Sequence, residues 1–148
     1  MSVRQSILTE IVSRLSGISV DNGFQTDAGE LVLVGQTPAL SEADPEQALA
    51  VLVGGDVVGY QGENVLTQLS IVVHALLRAD VDQPTLASEA VIADIKKAVE
   101  IDHDLGGALQ PRGLERGSTT AAKREQGSEF VAATVEYNCR FVERWGQP

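Results

Sequence analysis

QPTLASEAVIADIKKAVEIDHDLGG, residues 83–107, decides how the rest of the chain must be arranged. Ala87, Val91, Ile95 and Ala98 recur at helical spacing, and Ile92 and Val99 widen the same stripe. Glu89, Lys96, Lys97 and Glu100 fall on the other side. That pattern predicts an amphipathic helix with one buried face. Asp82 or Gln83 is placed to cap its start, and Pro84 suits a first turn, where its missing N–H has no intrahelical partner. Asp102-His103-Asp104-Leu105-Gly106-Gly107 is a sharp stop, because paired glycines allow the backbone angles that end a helix. A helix of this kind needs an apolar sheet face to lie on, and the flanking sequence supplies one.

Upstream, residues 65–77 alternate. Val65, Thr67, Leu69, Ile71, Val73, Ala75 and Leu77 share one face, and Gln68, Ser70 and His74 the other, as in a long half-buried strand. Downstream, residues 129–142 are the cleanest strand pattern. Val131, Ala133, Val135, Tyr137, Cys139 and Phe141 alternate with Thr134, Glu136, Asn138 and Arg140. Residues 48–53 form a continuous apolar run of strand length, which Gly54-Gly55-Asp56 is expected to end. Residues 57–63, with two glycines, read as a turn or a bent strand end. Residues 108–115 are expected to be a strand with Pro111 near an edge, and residues 117–128 a long polar loop or hairpin tip. The tail from Glu143 to Pro148 reads as loose.

At the N-terminal end, residues 2–16 predict a first helix. Ser2 and Gln5 fit a capping box, Val3, Ile7, Leu8, Ile11 and Leu15 make its apolar face, and Gly17 stops it. Residues 23–26 and 31–34 are candidate short strands, and residues 36–46, with Pro38, Pro45, Glu42, Asp44 and Glu46, carry loop chemistry. Helices that do not alternate regularly with strands predict an α+β fold: a single mixed, mainly antiparallel sheet with two helices packed on one face, in one domain spanning residues 1–148.

Composition limits the function classes. The 148 residues are 43% hydrophobic but only 4% aromatic, so the core is aliphatic, and the formal net charge is -10. Such acidity argues against gripping nucleic acid, which needs clustered Lys and Arg. It suits a surface that DNA must pass without sticking. One cysteine, Cys139, allows neither an internal disulfide nor a thiolate zinc site. No apolar run approaches the roughly 20 residues of a bilayer span, and the first residues lack a signal-peptide layout, so an intracellular protein without a membrane partner is expected.

Candidate chemistry is sparse. Asp102-His103-Asp104 is better explained by turn hydrogen bonds than by metal ligation, since adjacent residues seldom converge on one ion. Ser70 and His74 share a face but lie roughly 13 Å apart along a strand, too far for direct proton transfer. Cys139 points to the apolar face, as a small core residue does. The glycine pairs match no phosphate-binding pattern. No catalytic, cofactor or metal residue emerges. Arg112, Arg116, Lys123 and Arg124 form a weak basic cluster interleaved with Glu115, Glu125 and Glu129, which is better explained by a solvated loop or by contact with an acidic neighbour than by a nucleic-acid patch. Trp145, the sole tryptophan, has two readings: it tucks against the sheet edge, or it anchors a neighbouring subunit. These five residues are the candidate subunit or partner interface.

The order of these elements resembles that of phage tail terminator and tail-completion proteins. The resemblance rests on the helix of residues 2–15, the acidic proline-bearing loop before Ala48-Leu-Ala-Val-Leu-Val, the strand of residues 65–77 and the helix of residues 85–100. Asp104-Leu-Gly-Gly and the final strand Phe130-Val-Ala-Ala-Thr-Val-Glu-Tyr complete it. Residues 21–45 depart from it. The resemblance implies a non-enzymatic virion protein without a cofactor, assembled in the bacterial host cytoplasm. It implies a homo-oligomeric ring, commonly hexameric, at the head-proximal end of the tail tube. There the ring ends tube polymerisation and meets the head-tail connector or stopper protein, and DNA passes through without specific binding. A closed ring needs a head-to-tail interface, expected at the edge strands and the 117–128 loop. A related neck or head-tail completion component is the nearest alternative. A small ligand-binding or hydrolase α+β domain is the remote one, and it requires a deep pocket of convergent polar groups.

Overall fold

The computed structural model describes residues 1–36, 46–78, 82–122 and 130–148. Helix α1 (Val3–Ser16) is followed by two short 3-10 turns (Val20–Asn22 and Ala28–Glu30) and strand β1 (Val32–Val34). Then come β2 (Gln47–Gln61), β3 (Asn64–Arg78), helix α2 (Pro84–Val99), β4 (Leu114–Ala121) and β5 (Phe130–Arg144). The strands form one sheet in the order β1-β2-β3-β5-β4. Only β1 and β2 run parallel; every other pair is antiparallel. The fold is α+β with both helices on one face of a mixed sheet.

The alternation in β3 and β5 fixes that face. Leu69, Ile71, Val73, Val135, Tyr137 and Cys139 are buried there with Ile7, Ile11 and Leu15 of α1 and Val91, Ile95 and Val99 of α2, in one core. α1 lies over the β1–β2 side and α2 over the β5 side. Among the described residues, the opposite face carries no helix. Ser70 pairs there with Asn138, Val72 with Glu136 and His74 with Thr134, each half-buried.

Local chemistry sets the helix ends. The Ser2–Gln5 capping box forms in both directions, so two otherwise orphaned N–H groups are satisfied. Gln83 sits at the cap of α2 but makes no side-chain cap bond there; Pro84 alone shapes that start. Beyond α2, the Asp102 carboxylate accepts the Gly106 N–H at 3.2 Å, and Asp104 accepts that of Gly107 at 3.3 Å. Gly106 and Gly107 adopt φ of +68° and +93°, as the stop requires.

Several expectations fail, each for an identifiable reason. β2 does not end at Gly54-Gly55. The two glycines form a bulge between Val53 and Asp56, and the strand continues to Gln61, where a two-residue turn, Gly62-Glu63, leads into β3. Residues 108–113 are turns, not a strand. Gly113 packs so closely that a Cβ would come within 2.5 Å of the Arg140 carbonyl oxygen. The strand starts instead at Leu114 and takes in residues 117–121 of the expected loop, while residues 123–128 lie outside the described residues. Residues 23–26 form no strand. The tail is not loose either: β5 reaches Arg144, the Trp145 N–H donates to the Glu63 carbonyl at 2.8 Å, and Arg144 bridges Gln147. The loop expected around Pro38, Pro45, Glu42 and Asp44 also lies outside the described residues.

Candidate functional site

β2, β3 and β5 are each 15 residues long, so each spans about 50 Å, yet the helices cover only part of that length. Arg4, in the first turn of α1, pairs with Asp56 at 2.7 Å and marks where cover ends over β2. Beyond that point the three strands continue as a blade. On its helix-side face stand Val58, Tyr60 and Trp145; on the other stand Val57, Leu66 and Val142. All six are exposed, Val57 at 73%, Trp145 at 71% and Tyr60 at 65%. A blade greasy on both faces is costly to leave in water, and such patches mark contact surfaces. The Tyr60 and Trp145 rings are 5.9 Å apart at 58°, a tilted aromatic pair that stiffens the tip. At the root of the blade lies an open groove of about 420 Å³, lined by Val57, Gly59, Leu66, Gln68, Arg140 and Phe141.

A second, polar cavity of about 310 Å³ lies between α2 and β4, lined by Glu100, Asp102, His103, Leu114, Arg116 and Tyr137. Its charges are committed to one another. Arg116 holds Glu100 through two nitrogens, the second at 3.0 Å, and the Tyr137 hydroxyl donates to Glu100 at 3.4 Å. Burial pushes the Tyr137 pKa up, and the adjacent Glu100 carboxylate pushes the same way, so the phenol stays protonated. The hydrogen bond to Glu100 raises that of Arg116. Asp102 is drawn below the usual carboxylate range, chiefly by its hydrogen bond from Arg14 and also by the Gly106 N–H. Arg14 loses solvation, but the bonds to Glu10 and Asp102 outweigh that and raise its pKa. Among the described residues, no serine, cysteine or lysine lines this cavity.

Of the predicted basic cluster, Arg112 and Arg116 lie among the described residues. Arg112 sits in a turn at φ +55°, exposed, and its carbonyl accepts the Arg140 guanidinium at 3.0 Å. Arg116 faces α2 instead. Lys123 and Arg124 lie outside the described residues. Trp145 stands exposed on the blade tip, its ring against Tyr60 of β2. Cys139 is fully buried, and desolvation pushes its pKa to about 12. Among the described residues, no group of three His, Cys, Asp or Glu side chains could hold a metal ion, and no helix is long and apolar enough to cross a membrane.

Sequence reasoning missed two features. The blade depends on reading Gly54-Gly55 as a bulge; the signal was the run Val57-Val58-Gly59-Tyr60, whose β-branched and aromatic content favours strand. Asp94 was hidden on the buried face of α2. Only 1% exposed, it accepts the Gln25 and Thr26 N–H groups and the Thr26 hydroxyl, the last two at 2.7 Å.

A scan of protein-family models finds no match, and neither does a search of curated proteins. Among solved structures, the chain is similar to one from the virion of a native gene transfer agent particle, with 16% identity and a TM-score of 0.57. The likeness covers 90% of this chain and 92% of the other, so it extends to the fold as a whole.

Proposed function

We propose that this chain is a structural subunit of a phage-like virion. It closes into a homo-oligomeric ring, hexameric by the resemblance, at the head-proximal end of the tail tube. The ring ends tube polymerisation and joins the tail to the head connector. The observation that carries this reading is the bare blade: Val57, Val58, Tyr60, Leu66, Val142 and Trp145 stand exposed on both sides of a three-stranded projection. A subunit whose apolar surface is completed by its neighbours has this form. Two further facts support it. The fold is shared with a chain of a gene transfer agent virion. The charge of -10 suits a channel that DNA traverses without binding. The reading assigns no catalytic residue and no cofactor, and it makes the tube protein and the connector the partners.

The test is the mass of the purified chain in solution, alone and mixed with tail tubes, together with imaging of the tubes. A closed ring, seated at one end of each tube, is the expected outcome. A chain that stays monomeric in both conditions and leaves tube ends bare would end this reading.

A further inference from the structure

The sheet has two free edges, and they lie on opposite sides of it. β1 covers β2 only at Leu49, Ala50 and Val51. Past the bulge, residues 56–61 of β2 are exposed, and among the described residues no strand pairs with them on the side away from β3. On the far side, β4 is the edge, and residues 115–121 are exposed throughout. The Leu49 N–H donates outward to Leu31, and the Gly35 N–H donates to the Val51 carbonyl, so the outward set on β2 is fixed. Carried across the bulge by the alternation of an antiparallel ladder, it becomes Asp56, Val58 and Tyr60. On β4, the Gly113 carbonyl accepts the Arg140 N–H and the Ala122 N–H donates to Ala132, both inward, which turns Arg116, Thr119 and Ala121 outward. Unpaired strand edges of this kind are templates for another strand.

We infer that neighbouring copies join by strand addition, β2 of one copy pairing through residues 56–60 with residues 116–121 of β4 in the next. This deepens the ring reading above and rests on it. Direction supports the pairing. β3 runs opposite to both β2 and β5, and β4 runs opposite to β5, so β4 is antiparallel to β2. One rotation repeated from copy to copy therefore sets the two edges side by side in the favourable sense, and the contact is head-to-tail, as a closed ring requires. Chemistry agrees. With Val58 opposite Thr119, Tyr60 comes level with Arg116, and its ring would lie against the guanidinium that Glu100 holds in place. The small residues Gly117, Ser118, Thr119 and Ala121 leave room for Val58 and Tyr60. A symmetric β2–β2 dimer would satisfy one edge and leave β4 bare. The bulge in β2 bounds the stretch just before Asp56, and the bulge in β4, between Arg116 and Thr119, bends that edge within it, which guards against indiscriminate sheet growth.

Disulfide trapping tests this. Val58→Cys and Thr119→Cys replace exposed side chains, and the one native thiol, Cys139, is buried and slow to react. Equal amounts of the two single variants are mixed under mild oxidation, with Ala121→Cys in place of Thr119→Cys as a register check. Size measurement on the unmodified chain runs in parallel. The expected result is a cross-linked pair containing one of each variant, with the double variant giving a ladder that stops at the ring number. A chain that oligomerises yet yields only Val58→Cys self-pairs, or no cross-link to either β4 position, overturns the strand-addition inference and leaves the ring reading standing. A chain that never oligomerises, with tail tubes present as well as without them, removes both.

Discussion

The two halves of this sheet are built from the same strands and follow the same alternation, yet they solve opposite problems. Under the helices, β3 and β5 present Leu69, Ile71, Val73, Val135 and Tyr137 to α1 and α2, and every one is fully buried. Past Asp56 the alternation continues, but cover thins: Thr67 and Phe141 are still buried, whereas Val57, Tyr60 and Trp145 face solvent. The difference teaches that burial here follows helix length rather than strand sequence. The covered half forms the core; the bare half leaves its apolar surface in solvent.

Substitutions separate the halves, beginning with the largest expected effect. Ile95→Ala opens a cavity beneath α2 and should lower unfolding stability by about 3 kcal/mol, read by urea denaturation. If it costs no more than a surface change, the covered half is not the stabilising one. Asp94→Ala leaves the Gln25 and Thr26 donors without their acceptor and should cost about 2 kcal/mol in the same assay. On the blade, Tyr60→Ser with Trp145→Ser should change monomer stability by only ~0.5 kcal/mol per site while weakening self-association about tenfold or more, measured by sedimentation. Unaltered association would remove the blade tip from the interface.

The smallest effect is a pH dependence in the covered half. The folded-state pKa of Asp102 lies below its ordinary 3.8, so the unfolded chain takes up that proton first. Its contribution is complete above that ordinary value and is lost as pH falls through the folded one. Asp102→Asn should therefore lower the thermal midpoint at neutral pH, and the gap to the unmodified chain should close in acid. Because the Asp102 side chain is 38% exposed, the gap will be small. A gap that widens in acid would contradict the Arg14 pairing.

The covered half was legible in the sequence and the bare half was not, for physical reasons. Both helices, β3 and β5 announce themselves because a buried stripe imposes a period on apolar residues, and the Ser2–Gln5 box marks the start of α1. β4 imposes no such period. Beyond Leu114 it is exposed on both faces, so Gly117-Ser118-Thr119-Thr120 looks like a loop. Gly54-Gly55 looks like a terminator because glycine allows an end and a bulge equally well. For the interface, Trp145 could be singled out by type, whereas its partner Tyr60 depends on a hairpin register that no local pattern records. Arg112 and Arg116 are near in sequence, but Arg112 falls in the turn of residues 108–113, whereas Arg116 falls in β4 and holds Glu100.

The grip of Asp94 on Gln25 and Thr26 reaches across 69 and 68 residues of chain. Residues 19–27 belong to no strand, so much of their shape is borrowed from a helix made much later in synthesis. A nascent chain cut off before α2 should therefore display this segment as an open protease target. Limited digestion of such truncated chains would show cleavage there that the full-length protein resists.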